Sequence, residues 1–190
     1  MILPIYIYGH PVLRAANAEV TPDYPGLHDL INNLKETMYN SEGIGIAAPQ
    51  VGVNTKVVYI DVDVLAEDMP ELKDCRLTLI NPVVTVDETA PIVSREEGCL
   101  SVPGIHENVR RHEKIHLHWT DENWQEHDQD IEGYLARVVQ HECDHLDQKL
   151  FIDHISPIRK QLIRSKLNNM VKGNIRCDYR IKVAPRNRKR

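Results

Sequence analysis

Apolar positions recur at helical spacing in three stretches of the chain and alternate with polar ones between the first two. Leu27, Leu30, Ile31, Leu34 and Met38 lie three and four apart, which predicts a helix over residues 25–40 with Gly43 just beyond its end. A second helix is predicted over residues 131–146. A third begins with Ser156 as N-cap and Pro157 at the first helical position, carries Ile158, Leu162, Leu167, Met170 and Val171 on one side, and stops at Gly173. Between the first two helices, residues 56–62, 77–86 and 91–94 read as strands. Ile115-His116-Leu117-His118-Trp119 alternates strictly and runs into a turn at Asp121-Glu122-Asn123, which predicts a hairpin. Residues 178–183 read as one more strand. Helices at both ends of a strand-rich middle, without regular βαβ alternation, predict an α+β fold. Its antiparallel or mixed sheets would surround the second helix, with an N-terminal and a C-terminal helix outside them.

A chain of 190 residues suits one domain, drawn here as 1–173, followed by a tail at 174–190 that is part strand and then flexible. With 42% hydrophobic and 27% charged residues it has ordinary globular composition. No apolar run approaches the roughly 18–20 residues that span a bilayer, so no membrane partner is expected. The apolar start, Met1 to Tyr8, lacks a basic leader and makes a poor secretion signal, so a cytoplasmic location is expected. Four cysteines without small-scaffold spacing point to ligands or reactive groups more than to disulfides. The net charge of −5 is unevenly spread. Residues 174–190 hold seven Lys or Arg against Asp178, about +6, which leaves about −11 for the rest. That tail is either a solvated solubiliser or a tether to a polyanion such as RNA.

The second helix contains Gln140-His141-Glu142-Cys143-Asp144-His145. Two His four apart lie one above the other on a helix and can share one metal ion. At about 100° per residue, His141, His145, Val138, Ile131, Glu142, Leu135 and Leu146 fall within an arc of about 140°. The ligands and the Glu therefore face the core, where their desolvation cost requires compensation by a cation. Cys143 turns off this arc as a bystander, and Asp144 points away from it.

The third ligand separates the classes of hydrolase that use this pattern. One class takes a Glu further along the chain, but no Glu follows Glu142. Another takes a His six residues on, where this chain has Phe151, with Gln148 in place of the Gly that goes with it. Upstream, Glu97-Gly98-Cys99-Leu100-Ser101 offers a thiolate in a Gly-flanked loop. Cys99 with His141 and His145 would leave a fourth position open, the layout of a catalytic site. Glu142 beside such a water is placed as general base. A third segment, Gly43-Ile44-Gly45-Ile46-Ala47-Ala48-Pro49-Gln50, lets backbone approach a ligand closely at Gly43 and Gly45.

Together, in this order and at these distances, the three segments resemble the peptide deformylases, as does Gly9-His10-Pro11-Val12-Leu13-Arg14; the resemblance runs to about Phe151. It implies a hydrolase that removes the formyl group from the N-terminal methionine of new proteins and releases formate. Cys99, His141 and His145 would bind one divalent metal, Fe(II) first, with Zn, Ni or Co as alternatives. Glu142 would act as general base and acid, and the Gln50 amide and Leu100 N–H would face the oxyanion. Gly43 and Gly45 would hold the substrate backbone extended. Ile44, Tyr134 and Val138 would line the methionine pocket, with Glu97 near its mouth, and Arg111 would pair with Asp144. Ile46 stands where Leu is commoner. His106 stands where many members carry Arg, which leaves preference beyond methionine open. Expected partners are N-formylmethionyl peptides and, through the basic tail, the ribosome, but not DNA; a monomer is expected. Two readings compete with this one: another amidase using the same triad, and a metal-stapled RNA-binding module without turnover.

Overall fold

The computed structural model describes residues 1–185. In chain order they form strands β1 (Ile5–Tyr6), β2 (Gly45–Ala47), β3 (Val57–Asp61), β4 (Arg76–Val86), β5 (Ile92–Glu97), β6 (Glu107–His112), β7 (Lys114–Thr120), β8 (Glu126–Glu132) and β9 (Ile181–Lys182), with helices α1 (Leu27–Asn40), α2 (Gly133–Leu146) and α3 (Pro157–Val171). Five strands make one antiparallel sheet in the order β2-β3-β4-β7-β8. Strands β5 and β6 form an antiparallel ribbon, and β1 pairs with β9 in parallel. The α+β expectation holds. No helix among the described residues is long and apolar enough to cross a membrane.

The sheet separates two apolar clusters because successive side chains of a strand point to opposite faces. On β3, Val58 and Ile60 face Val139, Cys143 and Leu146 of α2, while Val57 and Tyr59 face Ile31, Leu34 and Met38 of α1. On β7 the predicted alternation is realised: Ile115, Leu117 and Trp119 are buried between outward Lys114, His116 and His118. A third cluster joins Ile7, Val102, Ile105 and Phe151 to Ile163, Leu167 and Met170 of α3, and it supports the loop after β5 from below.

Several expectations need correction. Ile131 and Glu132 end β8, and Gly133, at φ +68, turns the chain into α2, so Ile131 does not belong to the helical arc. Nor is α2 one-sided: residues Ala136 to Cys143 are all buried. The sheet covers one face of α2, while the β5–β6 ribbon supplies carbonyls of Val93, Val109 and His112 to Arg137 and Gln140 on the other. On α3, Ser156 caps as expected, accepting from the Arg159 N–H at 3.3 Å, but the buried stripe is Ile163, Leu167 and Met170. Ile158, Leu162 and Val171, expected on one side with Leu167 and Met170, are exposed at 76%, 67% and 43%. Their spacing suited a helix but did not say which side would meet the core. Strand β6 was not predicted at all. The strand expected at 178–183 is realised in part as β9, which pairs with β1, and the basic end at 186–190 lies outside the described residues.

Candidate active site

Helix α2 delivers His141 and His145 to one cleft, and the loop after β5 delivers Cys99 beside them. Their ligating atoms all lie within 4.8 Å of one another. Cys99 Sγ is 3.3 Å from His145 Nε2. Tetrahedral sites with metal–sulfur bonds of about 2.3 Å and metal–nitrogen bonds of about 2.0–2.1 Å bring neighbouring ligand atoms to roughly 3.3–3.6 Å, so these donors fit a small divalent cation. Beside Cys99, Gly98 packs closely against His106, because a Cβ there would meet the His106 ring at 2.6 Å.

The electrostatics favour the ligating form of the thiol. Burial pushes Cys99 up, but the adjacent His145 and His141 outweigh it and bring the thiol down to about 5. Burial likewise lowers His141, yet Cys99 and Glu97 hold it well above the ordinary imidazole range.

Glu97 does more than the sequence suggested. It is 7% exposed, and both carboxylate oxygens are engaged. Oε1 accepts from Arg111 Nε at 2.7 Å and Arg137 Nη1 at 2.6 Å, while Oε2 faces Arg111 Nη2 and His141 Nδ1, each at 2.9 Å. The Nδ1 contact fixes the ring and leaves its Nε2 without this partner, free to serve as a ligand. Glu97 borders the cleft, and both its oxygens are engaged behind His141. Burial pushes its carboxyl up, but His141 and Arg111 hold it well below the usual carboxylate range. Arg111 also reaches Asp144 at 2.9 Å, the pair expected from the sequence, and His154 meets the same carboxylate at 2.8 Å. By contrast His145 Nδ1 is buried without a protein partner among the described residues.

Glu142 lies beside the donors at 5% exposure, and its Oε2 likewise has no protein partner. Burial raises its carboxyl to about 7, the range in which one group can take and return a proton near neutrality. Gly45 of β2 passes directly over it: a Cβ there would come within 2.5 Å of Glu142 Oε1. No side chain fits at that position without displacing the carboxylate. The Gln50 amide completes the group. Its Oε1 accepts from the Ala47 N–H at 2.8 Å, which turns Nε2 toward Ser101 Oγ at 3.2 Å and Cys99 Sγ at 3.5 Å. Cys143 packs in the apolar cluster, as a bystander should.

The cleft has a volume of about 610 Å³ and is bordered by all twelve site residues expected from the sequence except His145, which sits beneath it. Ile44, Tyr134 and Val138 give this cleft apolar lining, which Gly43, Gly45 and Leu100 also border. His106 also borders the cleft. Three contributors escaped the sequence reading: Ser101, which receives the Gln50 amide; Arg137, which shares Glu97; and Tyr179. Arg137 lies one helical turn before His141 but about 40° outside the arc read as core-facing, so its burial carried no signal in the sequence.

The model of the polypeptide deformylase family matches residues 2–161. A peptide deformylase of Christiangramia forsetii is 43% identical over 189 residues, covering 96% of each chain. The chain belongs to the peptide deformylase family. Solved deformylase structures superimpose accordingly. That from Legionella pneumophila has a TM-score of 0.78 at 33% identity and covers 93% of this chain and 99% of its own; that from Thermus thermophilus has 0.78 at 36%, covering 89% and 97%. The protein is a hydrolase that removes the formyl group from N-terminal formylmethionine and releases formate.

Proposed function

We propose that deformylation proceeds at the Cys99–His141–His145 cage, with the H-E-x-x-H helix at the centre of the fold and one divalent cation, Fe(II) before Zn, Ni or Co, held by those three residues. The observation that carries this reading is the convergence of the three donors within 4.8 Å beside the unpartnered Glu142 carboxylate. When bound, such a cation acts as a Lewis acid and makes water acidic enough to supply a nucleophile near neutral pH.

The protein groups then divide the remaining work. The formyl-methionyl backbone lies extended along β2, an edge strand of its sheet, where Gly43 and Gly45 leave room for it. The methionine side chain enters the cleft against Ile44, Tyr134 and Val138. Glu142 takes a proton from water at its free oxygen and delivers it to the departing amine. Negative charge growing on the formyl oxygen is met by the Gln50 amide and the Leu100 N–H, each such donor usually contributing about 10²–10³ in rate.

On this reading, formyl-Met-Ala-Ser releases formate and the N-acetyl analogue does not turn over. A chelator abolishes release and added metal restores it. Chelator-insensitive hydrolysis would rule the cage out. The same proposal places the protein as a cytoplasmic monomer that meets nascent chains at the ribosome through its basic end. Neutralising Arg186, Arg188, Lys189 and Arg190 should weaken a salt-sensitive ribosome association; unchanged binding rejects that docking. Deleting from residue 174 is a poorer test, since it also removes β9 and Tyr179.

A further inference from the structure

The loop that carries Cys99 and Leu100 is held from three directions. Within it, the Val102 N–H donates to the Cys99 carbonyl at 2.8 Å. From the N-terminal side, the Tyr8 N–H donates to the Ser101 carbonyl at 2.7 Å. From the C-terminal side, the Tyr179 hydroxyl donates to the Leu100 carbonyl at 2.8 Å across 79 residues of sequence. The last two anchors are themselves joined. Strands β1 and β9 pair in parallel, with Ile5 opposite Ile181 and Tyr6 opposite Lys182, and the Ile5 N–H donates to the Arg180 carbonyl at 2.8 Å. Tyr179 thus stands just before β9 and Tyr8 just after β1, both beneath the same loop.

Peptide units are planar, so the Cys99 carbonyl and the Leu100 N–H move as one body and point in opposite directions. The Leu100 carbonyl belongs to the next plane, hinged to the first only at the Leu100 Cα. Holding that carbonyl therefore limits how far the Leu100 N–H can tilt. The residues that hold it lie beyond position 161, where the family match ends. Arg176, Cys177 and Tyr179 also border the cleft, so the segment after α3 is one of its walls.

We propose that Tyr179 is a positioning residue for deformylation: its hydroxyl, locked in place by β9, fixes the turn from which the Leu100 N–H meets the oxyanion. This rests on the reading of Leu100 as an oxyanion donor. The effect belongs to the reacting step and not to binding of the ground-state peptide, because the oxyanion contact tightens only as charge develops.

Tyr179→Phe removes the hydroxyl and keeps the ring. Loosening a donor costs less than deleting one, so kcat should fall about tenfold while KM for formyl-Met-Ala-Ser stays within about twofold. Metal content should match the parent, and amide hydrogen exchange at Leu100 and Ser101 should quicken while Ile181 stays protected. A kcat within about twofold of the parent, or unchanged exchange in the loop, overturns the proposal. So does a loss of kcat accompanied by lost metal, which would assign Tyr179 to the cage. If the parent itself releases no formate, the catalytic reading fails, whereas the exchange comparison still decides whether Tyr179 holds the loop.

Discussion

Replacing Glu142 with alanine should leave a folded, metal-binding protein whose formate release is reduced about 10²–10⁴-fold, the usual contribution of a positioned proton-transfer group. Glu142 is not a member of the cage, and Oε2 makes no hydrogen bond with the protein among the described residues. Its carboxylate therefore stabilises nothing that the fold needs. A buried, unpartnered acid is a cost to the native state, so the variant should be at least as resistant to urea as the parent. The pH dependence follows from the same burial. With the carboxyl raised to about 7, turnover limited by Glu142 as base should climb as pH rises through that value, and this limb should disappear in the variant. Formate release measured against pH, together with metal analysis of both proteins, checks each part. Near-parental turnover in Glu142→Ala would remove Glu142 from the role of base.

Glu97→Ala should be the most destabilising single change at the site, by about 3–5 kcal/mol in urea denaturation, because it strands buried cations. Arg111 and Arg137 are 6% and 5% exposed, and both direct N–H groups at the lost carboxylate. Ion pairs at the surface make a useful contrast. Lys56 and Glu19 sit 3.1 Å apart at 33% and 71% exposure, and separating them should cost well under about 1 kcal/mol. Metal affinity should also fall, by about 10–100-fold, once His141 Nδ1 loses its acceptor. The acid limb of stability carries the sign of a depressed carboxylate. Glu97 binds its proton more weakly folded than unfolded, so its contribution is complete above the ordinary glutamate value of about 4.3. It is lost progressively as pH falls below that toward the folded value. A loss in Glu97→Ala below about 1 kcal/mol would show that the two arginines find other partners.

The two variants separate what was legible in the chain from what was not. Glu142 could be proposed as the base because a helix places residues three and four apart on one side, and the spacing of His141 and His145 is a local metal-binding pattern. The same locality made α1 and the Ser156 cap of α3 readable, and strict alternation revealed β7. Glu97 could be noticed but not understood, since its partners Arg111 and Arg137 lie 14 and 40 residues away and meet it only through β6 and α2. Tyr179 carried no signal whatever: a tyrosine in a basic, weakly patterned stretch gains meaning only where β9 finds β1.

By itself, the sequence determined the helices, the hairpin, the three chemical segments and the family, because each depends on spacing within a few residues or on short motifs in fixed order. Only the tertiary structure decided which side of α3 is buried, that α2 is enclosed on both faces, and that Glu97 joins Arg111, Arg137 and His141 in one buried cluster. It also decided that residues 176–179 form one wall of the cleft. Those outcomes rest on contacts between residues far apart in sequence, and no local period encodes which of several compatible faces will find a partner.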